Sequence, residues 1–137
     1  MSVLVDTSVW SLLFRRERQQ LNPEELRTLQ SLRDLVEGKR AKVIGPVRQE
    51  LLSGIKSTLQ RELLQHRFRD FEDEVLITDD YETAAEISCK CRAKGITVGS
   101  IDALLCSVAV LRSWQVFTRD GDFGLFAKAV PVQFYRE

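Results

Sequence analysis

The sequence predicts an α/β domain in which a central, mostly parallel sheet of four to five strands is covered by helices on both faces. Three observations lead to this prediction. Short apolar runs without polar alternation, such as residues 3–5, are typical of strands that are buried on both sides. These runs alternate with helical segments, a pattern that favours parallel pairing. The chain has 137 residues and a hydrophobic content of 44%, which fits one domain spanning residues 1–137 around a single core.

Two helices are predicted between the first strand and the second. Thr7 or Ser8 can cap a helix that continues through Phe14. Asn22, followed by a proline and two acids, marks the start of the next helix, and Gly38 ends it. The apolar stripe of that helix consists of Leu26, Leu29, Leu32, Leu35 and Val36.

The middle of the chain continues this alternation. Residues 42–44 are predicted to form the second strand, and a helix opened by a Gly-Pro pair follows and ends near Gly54. Residues 57–71 are predicted to be helical, and residues 75–77 to form a third strand. The expected buried side of the 57–71 helix consists of Leu59, Leu63, Leu64 and Phe68.

The last third of the chain is predicted to contain two further helices and two strands. Asp79 with Glu82 fits a capping box for a helix that stops at Gly95. Ser100 is expected to cap a helix that is apolar almost all round, and such a helix is buried. Residues 116–118 form the predicted fourth strand. Residues 130–134 offer a fifth, whose proline favours a sheet edge.

Composition narrows the cellular context but not the partner. The formal net charge is zero, so bulk electrostatics does not indicate a nucleic-acid binder. No apolar stretch approaches the roughly 20 residues needed to span a bilayer, and no signal-peptide pattern follows Met1. The three cysteines form an odd set inside helical patterns, which suits a reducing compartment. We therefore expect a cytoplasmic protein.

Four acidic residues occupy positions where a surface carboxylate would be unusual. Asp6 and Asp120 follow apolar strands, whereas Glu50 and Asp102 interrupt apolar helical segments. An acid at such a position costs free energy unless it is solvated in a cleft, capped or paired with a cation. The carboxyl ends of parallel strands share one edge of a sheet, so the four acids are expected to meet there. Their mutual repulsion then calls for a metal, and oxygen ligands select Mg2+ or Mn2+.

Each of these acids also has a simpler interpretation when it is taken alone. Asp6 could cap the helix that follows it, and Asp102 could compensate a helix dipole. Glu50 could pair with a neighbouring cation on a solvated helix face, and Asp120 could be an ordinary turn residue. Four such coincidences at one edge of one sheet are less expected than any one of them.

The segments around the acids resemble the motifs of a known family. Residues 3–10 look like the opening motif of PIN-domain ribonucleases, in particular the VapC toxins of bacterial type II toxin–antitoxin pairs. Residues 46–51, 99–105 and 117–123 resemble the family's segments with the second, third and fourth acids, in family order and spacing. Each motif alone has weak specificity, but the ordered set covers essentially the whole chain and is strong.

The resemblance implies a PIN-like three-layer α/β/α sandwich with the activity of a Mg2+- or Mn2+-dependent endoribonuclease. Metal ions would invert the charge of the cluster, which would otherwise repel an anionic phosphodiester. By this reasoning Asp6 and Asp102 are the best candidates for direct metal ligands, and Asp120 completes the set. Glu50 could hold a water bound to the metal or assist its deprotonation.

Three further side chains belong to the predicted site. Thr7 or Thr118 could orient a carboxylate through its hydroxyl. Asp122 is a candidate fifth acid, although capping of the turn that follows it is an alternative role. The single histidine, His66, has no sequence signal that places it near the acids.

The implied substrate and partners also come from the resemblance. RNA, of the tRNA or rRNA class, is the expected substrate, and cations near the acidic edge would contact its phosphates. The selected cations are Arg15, Arg16, Lys56 and Arg119. A small cognate antitoxin is the expected partner, in a homodimer or a toxin–antitoxin hetero-oligomer, with no membrane involved. Two alternatives are a PIN-like protein that processes RNA without being a toxin, and a non-catalytic scaffold with a decayed metal site.

Overall fold

The computed structural model describes residues 1–15 and 21–137, and it confirms the predicted α/β class. Four parallel strands are arranged in the order β2-β1-β3-β4. The strands are β1 (Val3–Val5), β2 (Ala41–Lys42), β3 (Gln115–Phe117) and β4 (Gln133–Phe134). The central strand β1 pairs Val3 with Ala41 on one side and with Gln115 on the other. All three β1 residues are completely buried, as their unbroken apolar pattern predicts.

Eight helices flank this sheet within the described residues. They are α1 (Thr7–Trp10), α2 (Leu12–Arg15), α3 (Pro23–Glu37), α4 (Gly45–Ser53), α5 (Thr58–Phe68), α6 (Thr78–Ala93), α7 (Ser100–Arg112) and α8 (Asp122–Phe126). The start of α3 follows the sequence signal closely: Oδ1 of Asn22 accepts from the Glu25 amide at 2.8 Å, and the Glu25 carboxylate accepts from the Asn22 amide at 3.1 Å. Together the helices and the sheet make a three-layer α/β/α sandwich. No described helix has the length and apolar character needed to cross a membrane.

The core lies on both faces of the sheet. The apolar helix α7 is buried along most of its length, as predicted. On the other side, the buried Trp10 ring packs edge-on against Phe68 and Phe71, with centroid separations of 4.9 and 5.3 Å. The aromatic contacts attach α1 to the end of α5.

The predicted third strand at residues 75–77 is wrong. The chain makes one bridge beside β2, between Val43 and Asp73, and the Glu74 amide donates to the Val43 carbonyl at 2.8 Å. It then leaves the sheet, so that Val75 is 74% and Ile77 is 55% exposed. Three apolar residues are too few to distinguish a strand from an extended connection.

Other local predictions also need correction. The acid that caps α6 is Asp80, whose Oδ2 accepts from the Ile77 amide at 2.8 Å, rather than the Asp79 and Glu82 pair. Gly99, not Ser100, occupies the N-cap position of α7. Along α5, the expected buried side is only half correct. Leu64 and Phe68 are buried, but the exposed fractions are 67% for Leu59 and 57% for Leu63; Leu26 on α3 is exposed as well.

A buried ion pair connects α6 to α7. The Asp80 carboxylate is almost completely buried and accepts from both terminal nitrogens of Arg112, at 2.6 and 3.0 Å. The hydroxyl of Ser107 donates to the Asp80 carbonyl at 2.6 Å. The hydrogen bond from Arg112 lowers the pKa of Asp80, although burial acts in the opposite direction. The bidentate geometry fixes the crossing of the two helices.

Candidate active site

The four acids lie where the predicted topology requires them. Asp6 directly follows β1, and Asp120 lies three residues beyond the end of the neighbouring parallel strand β3. The Asp6 amide donates to the Phe117 carbonyl at 2.9 Å, so the two strand ends are in direct contact. Glu50 is carried by α4, which starts at the same edge after β2. Asp102 is in the first turn of α7, whose other end leads into the beginning of β3.

Two hydroxyl groups hold the carboxylate of Asp6. This side chain is only 5% exposed, and its Oδ2 accepts from Ser8 Oγ at 2.8 Å and from Thr118 Oγ1 at 2.9 Å. Asp6 occupies the N-cap position of α1, but its side chain makes no capping hydrogen bond. The simple helix-capping role that the sequence allowed for this side chain is therefore not the one it has in the structure.

Thr7 contacts a different acid. Its hydroxyl donates to Oε1 of Glu50 at 2.6 Å, across 43 residues of sequence. The two threonines that the sequence selected thus have separate partners: Thr118 contacts Asp6, and Thr7 contacts Glu50. Since Glu50 is exposed, this bond restricts an otherwise solvated side chain.

The same hydroxyl groups also organise the loop that carries Asp120. Its amide donates to Thr118 Oγ1 at 3.0 Å, and the Arg119 amide donates to Ser8 Oγ at 2.9 Å. One oxygen of the Asp120 carboxylate accepts from the Asp122 amide at 2.9 Å. Ser8 therefore bridges Asp6 and the loop after β3. The sequence suggested Ser8 only as a helix cap; a hydroxyl two residues beyond a strand-end acid was the available signal for this bridge.

The charges of the other acids act on Asp102. Asp102 is partly buried, and burial is the main reason why its pKa is raised to about 6. The charges of four other carboxylates add to the rise, in decreasing order those of Asp6, Asp120, Glu50 and Asp122. A dense negative potential therefore exists at the carboxyl edge of the sheet, and Asp122 contributes least to it at Asp102.

The donor chemistry fits a hard divalent cation. The acids supply oxygen ligands only, the type that Mg2+ and Mn2+ prefer. Among residues 1–15 and 21–137, however, no group of three or more His, Cys, Asp or Glu side chains is arranged as a ready ligand set. The other carboxylates are near enough to raise the pKa of Asp102, while hydroxyl and amide donors hold three of them individually.

The predicted RNA-contacting cations are distributed unevenly. The Arg119 side chain forms an ion pair with Glu25 on α3, with Nη2 and Oε2 separated by 3.3 Å. Lys56 is exposed in the connection between α4 and α5. Arg15 ends α2, but its side chain and all of Arg16 lie outside the described residues.

A groove of about 790 Å³ opens beside the acids. It lies between α1–α2 on one side and α4–α5 on the other, and both Thr7 and Glu50 contribute to its wall. Lys56 also lies along it, close in the chain to Glu50.

A parallel α/β/α sandwich with acids gathered beyond the ends of its central strands defines a class of domain, and sequence comparison shows which one. The chain belongs to the PIN domain family: the family model described as "PIN domain" matches residues 3–129. A search of the curated proteins gave no significant match.

Solved structures with a similar fold come from bacterial complexes. FitAcB from Neisseria gonorrhoeae is 18% identical with a TM-score of 0.73, covering 98% of this chain and 96% of that one. VapBC2 from Rickettsia felis, bound to a DNA fragment from its promoter, is 16% identical with a TM-score of 0.74 and 98% coverage of both chains. VapBC-5 from Mycobacterium tuberculosis, a member of the VapBC family of toxin–antitoxin systems, is 22% identical with a TM-score of 0.67 and complete coverage of both. At these identities the similarity establishes the fold.

Proposed function

We propose that this chain is an endoribonuclease that hydrolyses RNA phosphodiester bonds with Mg2+ or Mn2+ and acts as the toxin of a toxin–antitoxin pair. The observation that carries the proposal is the accumulation of carboxylates around Asp102 in a PIN domain, where their charges add to the effect of burial in raising the pKa of that residue to about 6. Such an anionic cluster is poorly suited to an anionic substrate unless a cation accompanies it.

Asp6, Asp102 and Asp120 would hold the cation. When bound, it would neutralise the cluster and offset the charge that develops on the leaving oxygen. Asp6 is suited to this role because its carboxylate is buried and oriented by two hydroxyl donors, which leaves its other oxygen for a ligand. Asp102 would have to lose its proton before it could act as a ligand.

Glu50 is the proposed base. Thr7 holds one of its oxygens at 2.6 Å, and the other can accept a proton from the attacking water. The exposed position of Glu50 in the groove wall gives water access to it. Thr118 and Ser8 would act indirectly, since they hold Asp6 and the Asp120 loop in a fixed relation.

The proposed partners follow from the neighbours in fold space. Chains of the same fold are found in complexes described as VapBC and FitAcB, and one source complex is described as a toxin–antitoxin system. We propose by analogy that a small antitoxin binds this chain in the cytoplasm. The chain would form a homodimer or a hetero-oligomer with the antitoxin, and its RNA substrate would be of the tRNA or rRNA class.

Cleavage by the purified protein tests the activity. The chain, free of any partner, should cleave cellular RNA in the presence of Mg2+ or Mn2+. Cleavage should stop when EDTA is added. Asp102→Asn should abolish cutting because it withdraws a ligand charge at nearly constant shape. Glu37→Gln is the matched control: Glu37 ends α3 just before β2 and therefore lies at the opposite edge of the sheet. Intact RNA after incubation with the wild type, or equal cleavage by Asp102→Asn, would overturn the proposal.

A further inference from the structure

We propose that Glu25 and Arg119 are positioning residues for the active site. Their ion pair attaches the loop after β3 (residues 118–121, the Asp120 loop) to helix α3, and so fixes Asp120 where it can hold a metal ion. The metal part of this inference rests on the proposed function. The attachment of the loop to α3 can nevertheless be measured in the metal-free protein.

Arg119 is held at both its backbone and its side chain. Its amide donates to Ser8 Oγ at 2.9 Å, and its Nη2 donates to Oε2 of Glu25 at 3.3 Å, across 94 residues of sequence. Asp120 is the next residue, so its carboxylate directly follows a position that is fixed twice. The side chain that the sequence selected as an RNA contact is therefore directed towards α3.

Glu25 uses its two carboxylate oxygens for different purposes. Oε1 accepts from the Asn22 amide in the capping box, whereas Oε2 accepts from Arg119. The Glu25 side chain is 10% and the Arg119 side chain 28% exposed. A carboxylate so far removed from water needs polar partners, and its ion pair is screened less than a surface pair. The contact therefore favours one position of the loop.

Helix α3 is a firm support for this contact. Leu32 and Leu35 bury one side of the helix in the core. The hydroxyl of Thr28 donates to Oε1 of Glu137 at 2.7 Å, which attaches the same helix to the segment after β4. Asp120 is exposed, in a short connection between β3 and α8. Loss of the ion pair should therefore release the loop rather than displace α3.

Positioning and simple electrostatics make different predictions for the two partners. Glu25→Gln removes a negative charge, and Arg119→Gln removes a positive charge. If only charge mattered, the affinity for a divalent cation would fall in the first variant and rise in the second. If the pair positions Asp120, the affinity falls in both. A change in the same direction therefore identifies the positioning role.

The first turn of α3 provides a matched control. Glu25→Gln can keep the capping box, because glutamine serves at this position as well as glutamate, while it removes the charge that faces Arg119. Glu24→Gln removes the same charge from the same turn, at an exposed side chain. The control thus measures the effect of charge at the start of α3 with the ion pair intact.

The experiment compares the three single variants with the double variant Glu25→Gln/Arg119→Gln. Hydrogen exchange of the backbone amides in the Asp120 loop is followed by NMR in the metal-free protein. Mn2+ affinity is measured by calorimetry. Binding of a short fluorescein-labelled RNA is measured by anisotropy in the Asp102→Asn background with Mg2+. Circular dichroism melts establish that the variants are folded.

The two partners should behave alike. In Glu25→Gln and in Arg119→Gln, the loop amides should exchange about twofold to fivefold faster, as expected for the loss of an ion pair that is partly shielded from water. Mn2+ affinity should fall about fivefold in each, less than the tenfold or more typical of a group that touches a metal ligand. The double variant should match the single variants, because its second substitution meets a pair that is already broken. Glu24→Gln should stay within about twofold of wild type.

Several results would overturn the inference. Higher Mn2+ affinity in Arg119→Gln would assign the effect to charge alone, and additive losses in the double variant would show that the two residues act independently. Weaker RNA binding by Arg119→Gln, with unchanged loop exchange and Mn2+ affinity, would make Arg119 an RNA contact instead.

Failure of the proposed function would look different. A wild type that gives the expected exchange and Mn2+ results but cleaves no RNA would overturn the nuclease and leave the positioning pair standing. RNA cleavage by the wild type, together with identical exchange and Mn2+ affinity in Glu25→Gln and Glu24→Gln, would overturn the positioning pair and leave the nuclease.

Discussion

The hydroxyl of Thr118 donates a 2.9 Å hydrogen bond to Oδ2 of Asp6, and so joins two segments that are 112 residues apart in the chain. The same hydroxyl oxygen accepts from the amide of Asp120 at 3.0 Å. One side chain therefore orients the carboxylate after β1 and the backbone of the loop after β3. Because these two acids are proposed metal ligands, their relative position depends on Thr118.

Thr118→Val should reduce RNA cleavage about tenfold to a hundredfold, a typical cost of removing a group that orients a metal ligand. Thr118→Ser retains the hydroxyl and should recover most of the activity. A purely structural role would be seen as a lower melting temperature with unchanged affinity for Mn2+. We expect the affinity for Mn2+, measured by calorimetry, to fall in Thr118→Val and to return in Thr118→Ser. Wild-type Mn2+ affinity in Thr118→Val would contradict the positioning role.

Ser8→Ala should act through the Asp120 loop as well as through Asp6. The substitution removes the donor to Asp6 Oδ2 and leaves the Arg119 amide without its acceptor. Loss of the acceptor for a partly exposed amide costs about 1 kcal/mol of unfolding free energy. Urea denaturation should show a loss of this order, and cleavage should fall together with it. Ser11→Ala is a suitable control, because its hydroxyl bonds only the carbonyl of Ser8 among the hydrogen bonds described for it.

Local signals predicted much of this fold because they act over a few residues. The apolar run at β1, the Asn22–Glu25 capping box and the apolar helix α7 need no knowledge of the rest of the chain. The sequence also predicted the edge of the sheet at which each acid lies, because each acid either follows a strand or belongs to a helix. The same kind of local signal gave a wrong strand prediction at residues 75–77, because the chain leaves the sheet after the single bridge between Val43 and Asp73.

The partners of the hydroxyl groups could not be predicted from the sequence. Thr7 and Thr118 were interchangeable candidates, and only the packing of α4 against α1 brings Glu50 to Thr7. Ser8 looked like a helix cap because that role depends only on neighbouring residues. Its actual contacts reach the loop 111 residues further along the chain, which a local sequence pattern does not reveal. The exposure of Leu63 was also beyond prediction, because an apolar stripe indicates a contact without indicating whether the partner is in the same chain.

Asp102→Asn should stabilise the metal-free protein at pH 8. The pKa of Asp102 is raised in the folded state from 3.8 to about 6, so its contribution to stability is fully present below pH 3.8 and is lost as the pH rises through 6. At pH 8 the folded protein holds this carboxylate charged at a cost of about 1–3 kcal/mol, which Asn removes. Urea denaturation in EDTA should show the gain at pH 8 and little gain near pH 4. Mg2+ should stabilise the wild type more than the variant; a variant less stable at pH 8 in EDTA would refute the cost.

Asp80→Asn should have the opposite pH dependence, far from the active site. Arg112 lowers the pKa of Asp80 in the folded protein, so the ion pair contributes stability above pH 3.8, and that contribution is lost as the pH falls through the folded-state pKa. At pH 7 the variant should lose about 3 kcal/mol, because Arg112 loses the charge of a buried partner. The difference from wild type should shrink in strong acid, as measured by denaturant titrations from pH 7 downwards. A difference that does not change with pH would show that packing between α6 and α7, rather than the charge pair, provides the stability.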